Sequence, residues 1–188
     1  RHGETQWNAA MRLQGWRDIA LNEAGTEQAR QLARYLSSPQ FSDRIDVVVS
    51  SDLSRAHETA TIAAGHFGHP VITTATLRER NYGIHEGKPL VMQANGRAGL
   101  HDFDLRCPHS PVEQGETLTE FAQRIRDAFE TLAQEHAGRN IMVFAHGGVI
   151  DIVWRQLHQA DLLSQRPNPI LNASVNQFTI ESDSLWQV

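Results

Sequence analysis

The stretch that decides the fold covers residues 140–148 and reads NIMVFAHGG. The apolar run 140–145 is typical of a strand, and the apolar spacing over about 149–157 predicts a helix directly after it. His146 and the two glycines behind it therefore stand between a strand and a helix. Glycines at a helix start leave backbone N–H groups open to an anion, so this junction is a candidate anion site.

Short strands and amphipathic helices alternate along the rest of the chain. The expected elements, in chain order, are a helix over 22–38 capped by Asn22, a strand over 45–49, a helix over 53–67, a strand over 71–73, a helix that starts in a capping box at Thr117 and is closed by Gly138, the strand 140–145, the helix 149–157 and a last strand over 174–181. This alternation predicts an α/β fold with a largely parallel sheet. Ligands of such sheets bind beyond the carboxyl ends of the strands, so we expect the functional residues there.

The composition is that of a globular domain. The 188 residues include 40% hydrophobic residues, which suffices for one domain with a buried core. No apolar run reaches the ~18 residues of a transmembrane helix. The 17 Lys and Arg residues against 22 Asp and Glu residues give a net charge of −5, whereas nucleic-acid binders show a basic face. We expect neither a nucleic-acid nor a membrane partner, and an anionic substrate would need a local cationic pocket.

The cysteine and histidine content indicates which redox compartment and which metal chemistry to expect. Cys107 is the only cysteine. It can form neither an intramolecular disulfide nor a cysteine-based zinc site, so the sequence favours a reducing cytoplasm. Ten histidines are present, but no pair of them has the spacing of metal ligands on one helix. We expect no metal and no other cofactor.

The segment 88–115 stands apart from the periodic elements. It has poor hydrophobic periodicity and contains several glycines and prolines. We expect an excursion over the surface there, with at most one short helix. The excursion would belong to a single domain that covers residues 1–188.

Four places combine charge or glycine with the end of an element, namely Arg1-His2-Gly3-Glu4-Thr5, Ser51-Asp52-Leu53-Ser54-Arg55, residues 77–83 (LRERNYG) and His146-Gly147-Gly148. An arginine beside a histidine suits a phosphoryl group, because the guanidinium matches phosphate oxygens and a neutral imidazole is a nucleophile near neutral pH. Gly3 would let the backbone come close to a ligand or to an imidazole nitrogen. Taken singly, the places have simpler explanations. Arg55 fits a helix surface, Glu79 a surface ion pair, and His146 the core.

The order of these motifs is more specific than any one of them. Between residues 1 and 150 the chain reads RHGETQWN, LQGWRD, ALNEAGTEQA, SSDLSRAHETA, LRERNYGIHEGK, GETLTEF and AHGGVI. In this order the motifs closely resemble the histidine phosphatase superfamily, which includes the cofactor-dependent phosphoglycerate mutases. The resemblance implies a three-layer α/β/α sandwich around a mostly parallel sheet. It also implies a strand in front of the RHG motif, so we expect a short strand before Arg1.

The resemblance further implies roles for the residues at matching positions. His2 is expected to be the nucleophile that becomes a phosphohistidine, and Glu79 the general acid that protonates the leaving oxygen. The expected phosphate clamp consists of Arg1, Asn8, Arg55 and His146, and the positions that contact the rest of the substrate in mutase-like members are Gln14, Gly15, Arg80, Tyr82, Gly147 and Gly148. Phosphate oxygens favour the protonated form of a nearby carboxyl group, which suits an acid near neutral pH.

Three functions fit the resemblance: a phosphomonoester hydrolase, a mutase that returns the phosphoryl group to a substrate, and a non-catalytic binder of a phosphorylated ligand. The last is disfavoured because every catalytic and clamp position holds the expected residue type. The mutases carry a longer insertion with a lysine and an Arg-Arg pair, whereas this excursion has only isolated Arg97 and Arg106. Gly148 also replaces the asparagine that follows HG in the mutases. The sequence therefore favours a phosphatase for a small phosphorylated metabolite, with its specificity in residues 88–115.

Overall fold

A computed structural model describes residues 1–92, 98–164 and 166–180, together with the backbone of residues 186–187. Arg97 and Glu181, which belong to the expected excursion and last strand, lie outside the described residues. The helices are α1 Gln6–Ala9, α2 Glu23–Leu36, α3 Ser54–Ala64, α4 Leu118–Glu135 and α5 Gly147–Leu157. The strands are β1 Val47–Ser51, β2 Val71–Thr74, β3 Val91–Met92, β4 Ala98–Gly99, β5 Ile141–Phe144, β6 Thr179–Ile180 and β7 Trp186–Gln187. None of the helices in these ranges is long and apolar enough to cross a bilayer.

The central sheet is parallel and has the strand order β2-β1-β5. β1 lies in the middle, where Val48 pairs with Val71 on one side and with Met142 on the other. All five residues of β1 are buried, because the strand has a neighbour at each edge and helices on both faces. The expected α/β fold with a parallel sheet is confirmed.

Helices cover both faces of the sheet. Successive residues of β1 point to opposite faces. Val47 and Val49 belong to an apolar cluster with Ile125 of α4 and with α5, whereas Val48 packs on the other face with Leu36 of α2 and with α3. The structure therefore has the expected three layers.

Side-chain caps set the start of the two longest helices, as expected. Asn22 accepts a hydrogen bond from the Gly25 backbone N–H at 2.8 Å before α2, and Thr117 opens a complete capping box before α4. The expectation that Gly138 closes α4 was wrong. The chain already leaves the helix at His136, and Gly138, with φ +73°, lies in the turn that follows.

At the two strand-to-helix junctions beside the site, regular structure includes residues that were expected to lie in the connections. β1 runs two residues further than the expected strand and ends at Ser51, and α5 begins at Gly147 rather than at Val149. α3 stops at Ala64 and continues only as a 3-10 turn, Gly65–Phe67. Polar and glycine residues at both junctions are thus part of the regular elements themselves.

The expected last strand needs correction, and the expected excursion contains two short strands that the sequence did not predict. Among the described residues, the last strand is reduced to β6, which pairs antiparallel with β7 and not with the central sheet. Residues around the start of the expected strand instead bind the amino-terminal segment, because the Arg1 backbone nitrogen donates to the Ser174 carbonyl at 3.0 Å and the Ala173 N–H donates to the His2 carbonyl at 3.2 Å. The described part of the excursion contains no helix, and β3 and β4 form a short antiparallel pair there.

The outer edge of β5 faces a groove of about 960 Å³. Apolar side chains from both helical layers line it, including Leu36, Phe129 and Val149. Within the described ranges no strand pairs with this edge. The strand expected before Arg1 stays a prediction.

Candidate active site

The three central strands bring the expected site residues to one edge of the sheet. Ser51 ends β1, His146 follows β5, and Glu79 lies a short turn beyond β2. The amino-terminal segment joins them, because the His2 N–H donates to the Ala145 carbonyl at 2.9 Å. The site therefore forms at the carboxyl ends of the parallel strands, as this kind of sheet predicts.

Hydrogen bonding fixes the tautomer of His2. Its Nδ1 lies 2.6 Å from the Gly3 carbonyl oxygen, and a carbonyl can only accept, so Nδ1 carries the hydrogen. The lone pair is then on Nε2. Gly3 is needed because a Cβ there would lie 2.5 Å from the Gly25 carbonyl oxygen. The backbone thus approaches an imidazole nitrogen as expected, and it also packs tightly against α2.

The surroundings of His2 keep its imidazole neutral. The side chain is only 3% exposed. Burial, together with the nearby charges of Arg55 and Arg1, lowers the pKa of His2 well below its usual value of 6.5. A neutral imidazole with a fixed tautomer and a free Nε2 lone pair is a competent nucleophile at neutral pH.

His146 lies beside His2 and has only one of its two nitrogens satisfied. The ring centroids are 5.2 Å apart. His146 Nε2 lies 2.8 Å from the Ser51 hydroxyl, whereas its buried Nδ1 has no protein partner. Burial, followed by Arg55 and His2, lowers the pKa of His146 well below 6.5. An ordinary core histidine would have both nitrogens satisfied, so the free Nδ1 indicates a place for a ligand.

Two arginines, the buried Arg55 and the half-buried Arg1, flank the histidine pair. Arg55, which is 1% exposed, donates to the carbonyls of Gly15 at 2.8 Å and Arg17 at 2.9 Å. Arg1 donates to the Ile170 carbonyl at 2.5 Å. Burial lowers the pKa of Arg55 to about 10 and also lowers that of Arg1, while the charge of Glu79 opposes both shifts.

Neither arginine has an acidic partner in direct contact. Within the described part of the chain, no carboxylate lies within 4.0 Å of the Arg1 or Arg55 guanidinium. Both Nε atoms are buried without a hydrogen-bond partner. A buried cation with unused donors is costly unless an anion completes it. The pair is therefore built to receive an anion with several oxygen atoms.

Asn8 presents the donor end of its amide to the site. Its Oδ1 accepts from the Thr5 N–H at 3.1 Å and from Asn172 Nδ2 at 3.4 Å. These donors identify the oxygen and so leave Asn8 Nδ2 available to an acceptor. Asn172 Nδ2 also donates to the His2 carbonyl at 3.1 Å. Asn172 thus links Asn8 of the expected phosphate clamp to the backbone of the expected nucleophile.

The Glu79 carboxylate is held by backbone amides. Its Oε1 accepts from the Arg80 N–H and its Oε2 from the Gly148 N–H, each at 2.9 Å. Gly148 must be a glycine for this contact, because a Cβ there would lie 2.1 Å from Glu79 Oε1. The carboxylate therefore occupies the amino-terminal turn of α5, beside the two arginines whose pKa it influences.

The remaining expected substrate contacts surround this centre. Gln14 accepts from the Thr5 hydroxyl at 2.9 Å, and the carbonyl of Gly15 holds Arg55. Arg80 is buried, and its guanidinium carbon lies 5.3 Å from the ring centre of Tyr82. Arg80 donates to the carbonyls of Leu105 at 2.5 Å and Glu116 at 3.0 Å, with its third nitrogen unpartnered. Gly147 packs against Arg1, since a Cβ on it would lie 3.6 Å from Arg1 Nε.

Sequence reasoning left several residues of the site without a role. The sequence assigns no role to Ser51 or Asn172, yet both contact histidines of the site. Trp16 donates from its indole to the Glu79 carbonyl at 2.7 Å, although its sequence position suggests packing. Arg124 sits in the middle of an amphipathic helix, and no motif signals its contacts with the Glu79 loop.

The part of the chain that the structure describes contains no group of three or more His, Cys, Asp or Glu side chains placed to hold a metal ion. The expected metal independence concerns the reaction and stays a prediction. The charges that face the nucleophile come from arginines.

Comparisons with known proteins agree with this geometry. All of residues 1–188 match the family model of the histidine phosphatase superfamily (branch 1). Phosphoglycerate mutase-like protein 4 of Arabidopsis thaliana is 36% identical over 197 residues, which cover 100% of this chain and 80% of that protein. Metal-independent phosphoserine phosphatase of the same plant is 37% identical over 193 residues, which cover 99% and 76%. The structure of YhfR from Bacillus stearothermophilus has a TM-score of 0.82 at 27% identity and covers 100% of this chain and 92% of that one. The chain belongs to the histidine phosphatase superfamily (branch 1), as a phosphatase-type enzyme of the phosphoglycerate mutase-like kind.

Proposed function

We propose that the chain is a metal-independent phosphomonoester hydrolase that works through a phosphohistidine on His2. The observation that carries the proposal is the neutral His2 imidazole with a free Nε2 lone pair, beside Arg1 and Arg55, whose buried Nε atoms are unpartnered and which contact no carboxylate among the described residues. A phosphate monoester supplies both the electrophile for this nitrogen and the negative charge for these cations.

In the first step, the His2 Nε2 lone pair forms a bond to phosphorus and the bond between phosphorus and the ester oxygen breaks. Glu79, in its protonated form, gives its proton to the departing oxygen, so that an alcohol leaves. The products are the alcohol, a phosphorylated His2 and an ionised Glu79. The Glu79 carboxylate already accepts two backbone N–H groups, which would hold it in place through this change of charge.

In the second step, the ionised Glu79 takes a proton from water as the water oxygen attacks phosphorus. The bond between phosphorus and Nε2 breaks, its electron pair returns to His2, and inorganic phosphate leaves. Glu79 is again protonated and the cycle is closed. In both steps Arg1, Arg55 and Asn8 would stabilise the oxygens of the transferred group.

The unpartnered Nδ1 of His146 is proposed to complete this clamp. In the free protein this buried nitrogen has no hydrogen-bond partner, and the pKa of the ring is low. Its tautomer can adapt, because the Ser51 hydroxyl at Nε2 can either donate or accept. A phosphate oxygen would then receive a hydrogen bond from Nδ1 without a second charged histidine in the pocket.

We propose a small phosphorylated metabolite as the substrate, with a nucleic acid or a membrane playing no part and with the protein acting in the cytoplasm. The net charge of −5 and the single cysteine support these expectations. The name of the phosphoserine phosphatase relative is consistent with a small ester.

A mutase is the second candidate, because one of the most similar relatives carries a mutase-like name. A mutase must retain its dephosphorylated product while water is kept out, which calls for additional cations that close over the substrate. In the excursion, Arg106 donates to the Leu162 carbonyl at 2.9 Å, so at least part of its guanidinium holds a neighbouring loop. This use of Arg106 favours hydrolysis.

A pair of assays on the purified protein separates these candidates. With p-nitrophenyl phosphate and a panel of sugar and carboxylic acid phosphates, we expect release of inorganic phosphate that survives EDTA. With 3-phosphoglycerate and 2,3-bisphosphoglycerate as primer, we expect poor isomerisation. Efficient primer-dependent isomerisation with negligible phosphate release would favour the mutase. Complete loss of activity on chelation, restored by Mg²⁺ or Zn²⁺, would overturn the metal-independent mechanism. Tight binding of vanadate without activity in either assay would favour a binding protein.

A further inference from the structure

The segment 76–81, which carries Glu79, has almost no regular secondary structure of its own. It leaves a 3-10 turn at Leu77 and runs extended toward the next turn at Gly83. Nevertheless its backbone is held at nearly every residue. Four of these hydrogen bonds come from two side chains of another part of the chain, Glu116 in front of α4 and Arg124 in its second turn.

Arg124 binds three carbonyl groups of the segment at once. One terminal nitrogen donates to the carbonyls of Thr76 at 2.8 Å and Arg78 at 3.1 Å. The other donates to the carbonyl of Glu79 itself at 3.2 Å. An ammonium group could not span these acceptors in the same way, because only the planar guanidinium offers a fixed set of five N–H donors.

Glu116 holds both Arg124 and the far end of the segment. The pair is bidentate, with Arg124 Nη2 to Glu116 Oε1 at 2.6 Å and Nε to Oε2 at 3.1 Å. Glu116 Oε1 also accepts from the Asn81 N–H at 2.8 Å. The two side chains are only 21% and 16% exposed, so this pair is shielded from solvent more than a surface ion pair is.

The indole of Trp16 completes the support of the Glu79 carbonyl. Its Nε1 donates to that oxygen at 2.7 Å, beside the bond from Arg124. The guanidinium carbons of Arg78 and Arg124 lie 4.8 Å and 5.9 Å from the centre of the indole. The Glu79 backbone is therefore fixed from two sides, while its carboxylate is held by the amide of Gly148.

We infer that Arg124, paired with Glu116, is a positioning residue for the general acid. The inference rests on the proposed function, in which Glu79 protonates the leaving oxygen. Arg124 does not itself touch the substrate. It fixes the main chain on which Glu79 stands, so that the carboxyl group stays within hydrogen-bond distance of a departing oxygen. Proton transfer is sensitive to such placement, and a displacement of about 1 Å can lower the rate about 100-fold.

Leaving-group dependence separates a positioning role from a structural one. The value of kcat/KM reports on the steps up to the loss of the first product. A p-nitrophenolate leaves without a proton, whereas an alkoxide from a phosphate such as glycerol 3-phosphate needs one. The variants to compare are Arg124→Gln, Glu79→Gln, the double variant, and Arg126→Gln as a matched control. Arg126 lies on the same helix, and its one hydrogen bond to a described side chain goes to Gln123 at 2.6 Å.

We expect Arg124→Gln to lower kcat/KM for glycerol 3-phosphate about 100-fold and that for p-nitrophenyl phosphate by no more than about threefold. Glu79→Gln should show the same selectivity at equal or larger size. In the double variant, the change at Arg124 should add almost nothing, because a residue that acts through Glu79 has no effect once the acid is gone. Arg126→Gln should leave both substrates unchanged.

Equal losses on both substrates in Arg124→Gln, no loss on either, or full additivity in the double variant would overturn the inference. If Arg124→Gln does not fold, Glu116→Gln decides instead, since its amide oxygen can still accept from Asn81 while the ionic pair is lost. Glu116→Gln should lower kcat/KM for glycerol 3-phosphate about 10-fold and leave kcat/KM for p-nitrophenyl phosphate unchanged. A Glu79→Gln variant without leaving-group selectivity would refute the proposed acid, and with it the inference. A selective Glu79→Gln beside an unselective Arg124→Gln would refute only the role of Arg124.

Discussion

Two regions of the molecule differ in how strongly folding determines their side chains. The proposed phosphate pocket consists of the buried His2, Arg55 and His146 and the half-buried Arg1, and each of these side chains is tied to main chain or to a hydroxyl. The excursion over 88–115 has only two short strands among its described residues, and its side chains are largely exposed, as at Met92 with 64%. We propose that the pocket carries the reaction and that the excursion defines which ester is accepted.

By the same comparison, we expect the pocket to lower the stability of the fold. The Nε atoms of Arg1 and Arg55 and the Nδ1 atom of His146 are buried without a hydrogen-bond partner. Each unsatisfied buried polar group costs about 1–3 kcal/mol. A ligand that completes these bonds should stabilise the fold, whereas changes in the excursion should have little effect on stability.

The largest effect is expected at the nucleophile. Replacing His2 with Asn should lower phosphatase turnover about 10⁴-fold or more, because the covalent route is lost. The fold should persist, as judged by a cooperative thermal transition and an unchanged circular dichroism spectrum. The exposed His57→Asn variant serves as the control and should keep full activity. Turnover of the His2 variant within tenfold of wild type would mean that the pocket does not carry the reaction.

Two adjacent glycines test how tightly the pocket is built around Glu79. A Cβ on Gly148 would lie 2.1 Å from Glu79 Oε1, whereas a Cβ on Gly147 meets nothing closer than 3.6 Å. Gly148→Ala should displace the carboxyl group and lower kcat about 10- to 100-fold while the fold is retained. Gly147→Ala should change kcat by less than about threefold. The measurement is kcat of Gly148→Ala and of Gly147→Ala from steady-state kinetics. Equal losses of kcat in both variants would contradict the contact between Glu79 and Gly148.

The buried histidines should make stability depend on pH. The pKa values of His2 and His146 are lowered in the folded state, so below pH 6.5 the unfolded chain binds more protons than the folded one. The free energy of unfolding should therefore fall as the pH falls from about 6.5 to 5, by up to about 1.4 kcal/mol per pH unit for each histidine. Urea unfolding of His146→Asn should show a slope reduced by about that amount. An unchanged slope, matching that of the exposed His57→Asn, would show that His146 titrates normally.

The smallest effect on the chemistry is expected in the excursion. Arg106→Ala should change kcat/KM for p-nitrophenyl phosphate by less than about threefold, because this substrate tests little beyond the phosphate pocket. It should alter the order of preference among a panel of phosphorylated sugars and acids. A uniform loss of phosphate release on every substrate would indicate that Arg106 supports the phosphate pocket and does not determine substrate specificity.

The sequence was sufficient for the layers of the fold and for the set of polar residues at the sheet edge. The apolar run at 140–145 and the capping residues Asn22 and Thr117 depend on local rules, and the structure has the strand and both caps. The motif order also located the residues that meet around His2, because each follows a strand or opens a helix. The roles of these residues in the reaction stay predictions.

What the sequence missed depends on contacts between distant segments. The residues of the expected last strand bind the amino-terminal segment, as at Ser174, and no local pattern indicates this. Arg124 lies on the polar side of a helix, where a solvated arginine and one that holds a loop 45 residues away look the same in sequence. The end of α4 was misplaced because glycine marks where a left-handed turn is possible and not where the helix ends.

The central claim is that the phosphoryl group passes through His2, and its most direct test is to trap that intermediate. Stoichiometric enzyme is mixed with a radiolabelled phosphate ester, quenched in base within the first turnover, and digested for peptide mapping. We expect a base-stable, acid-labile phosphoryl group on the peptide that contains His2, and its absence from His2→Asn. Label on any other residue, or release of labelled phosphate over a full turnover with no adduct at any time, would contradict the account.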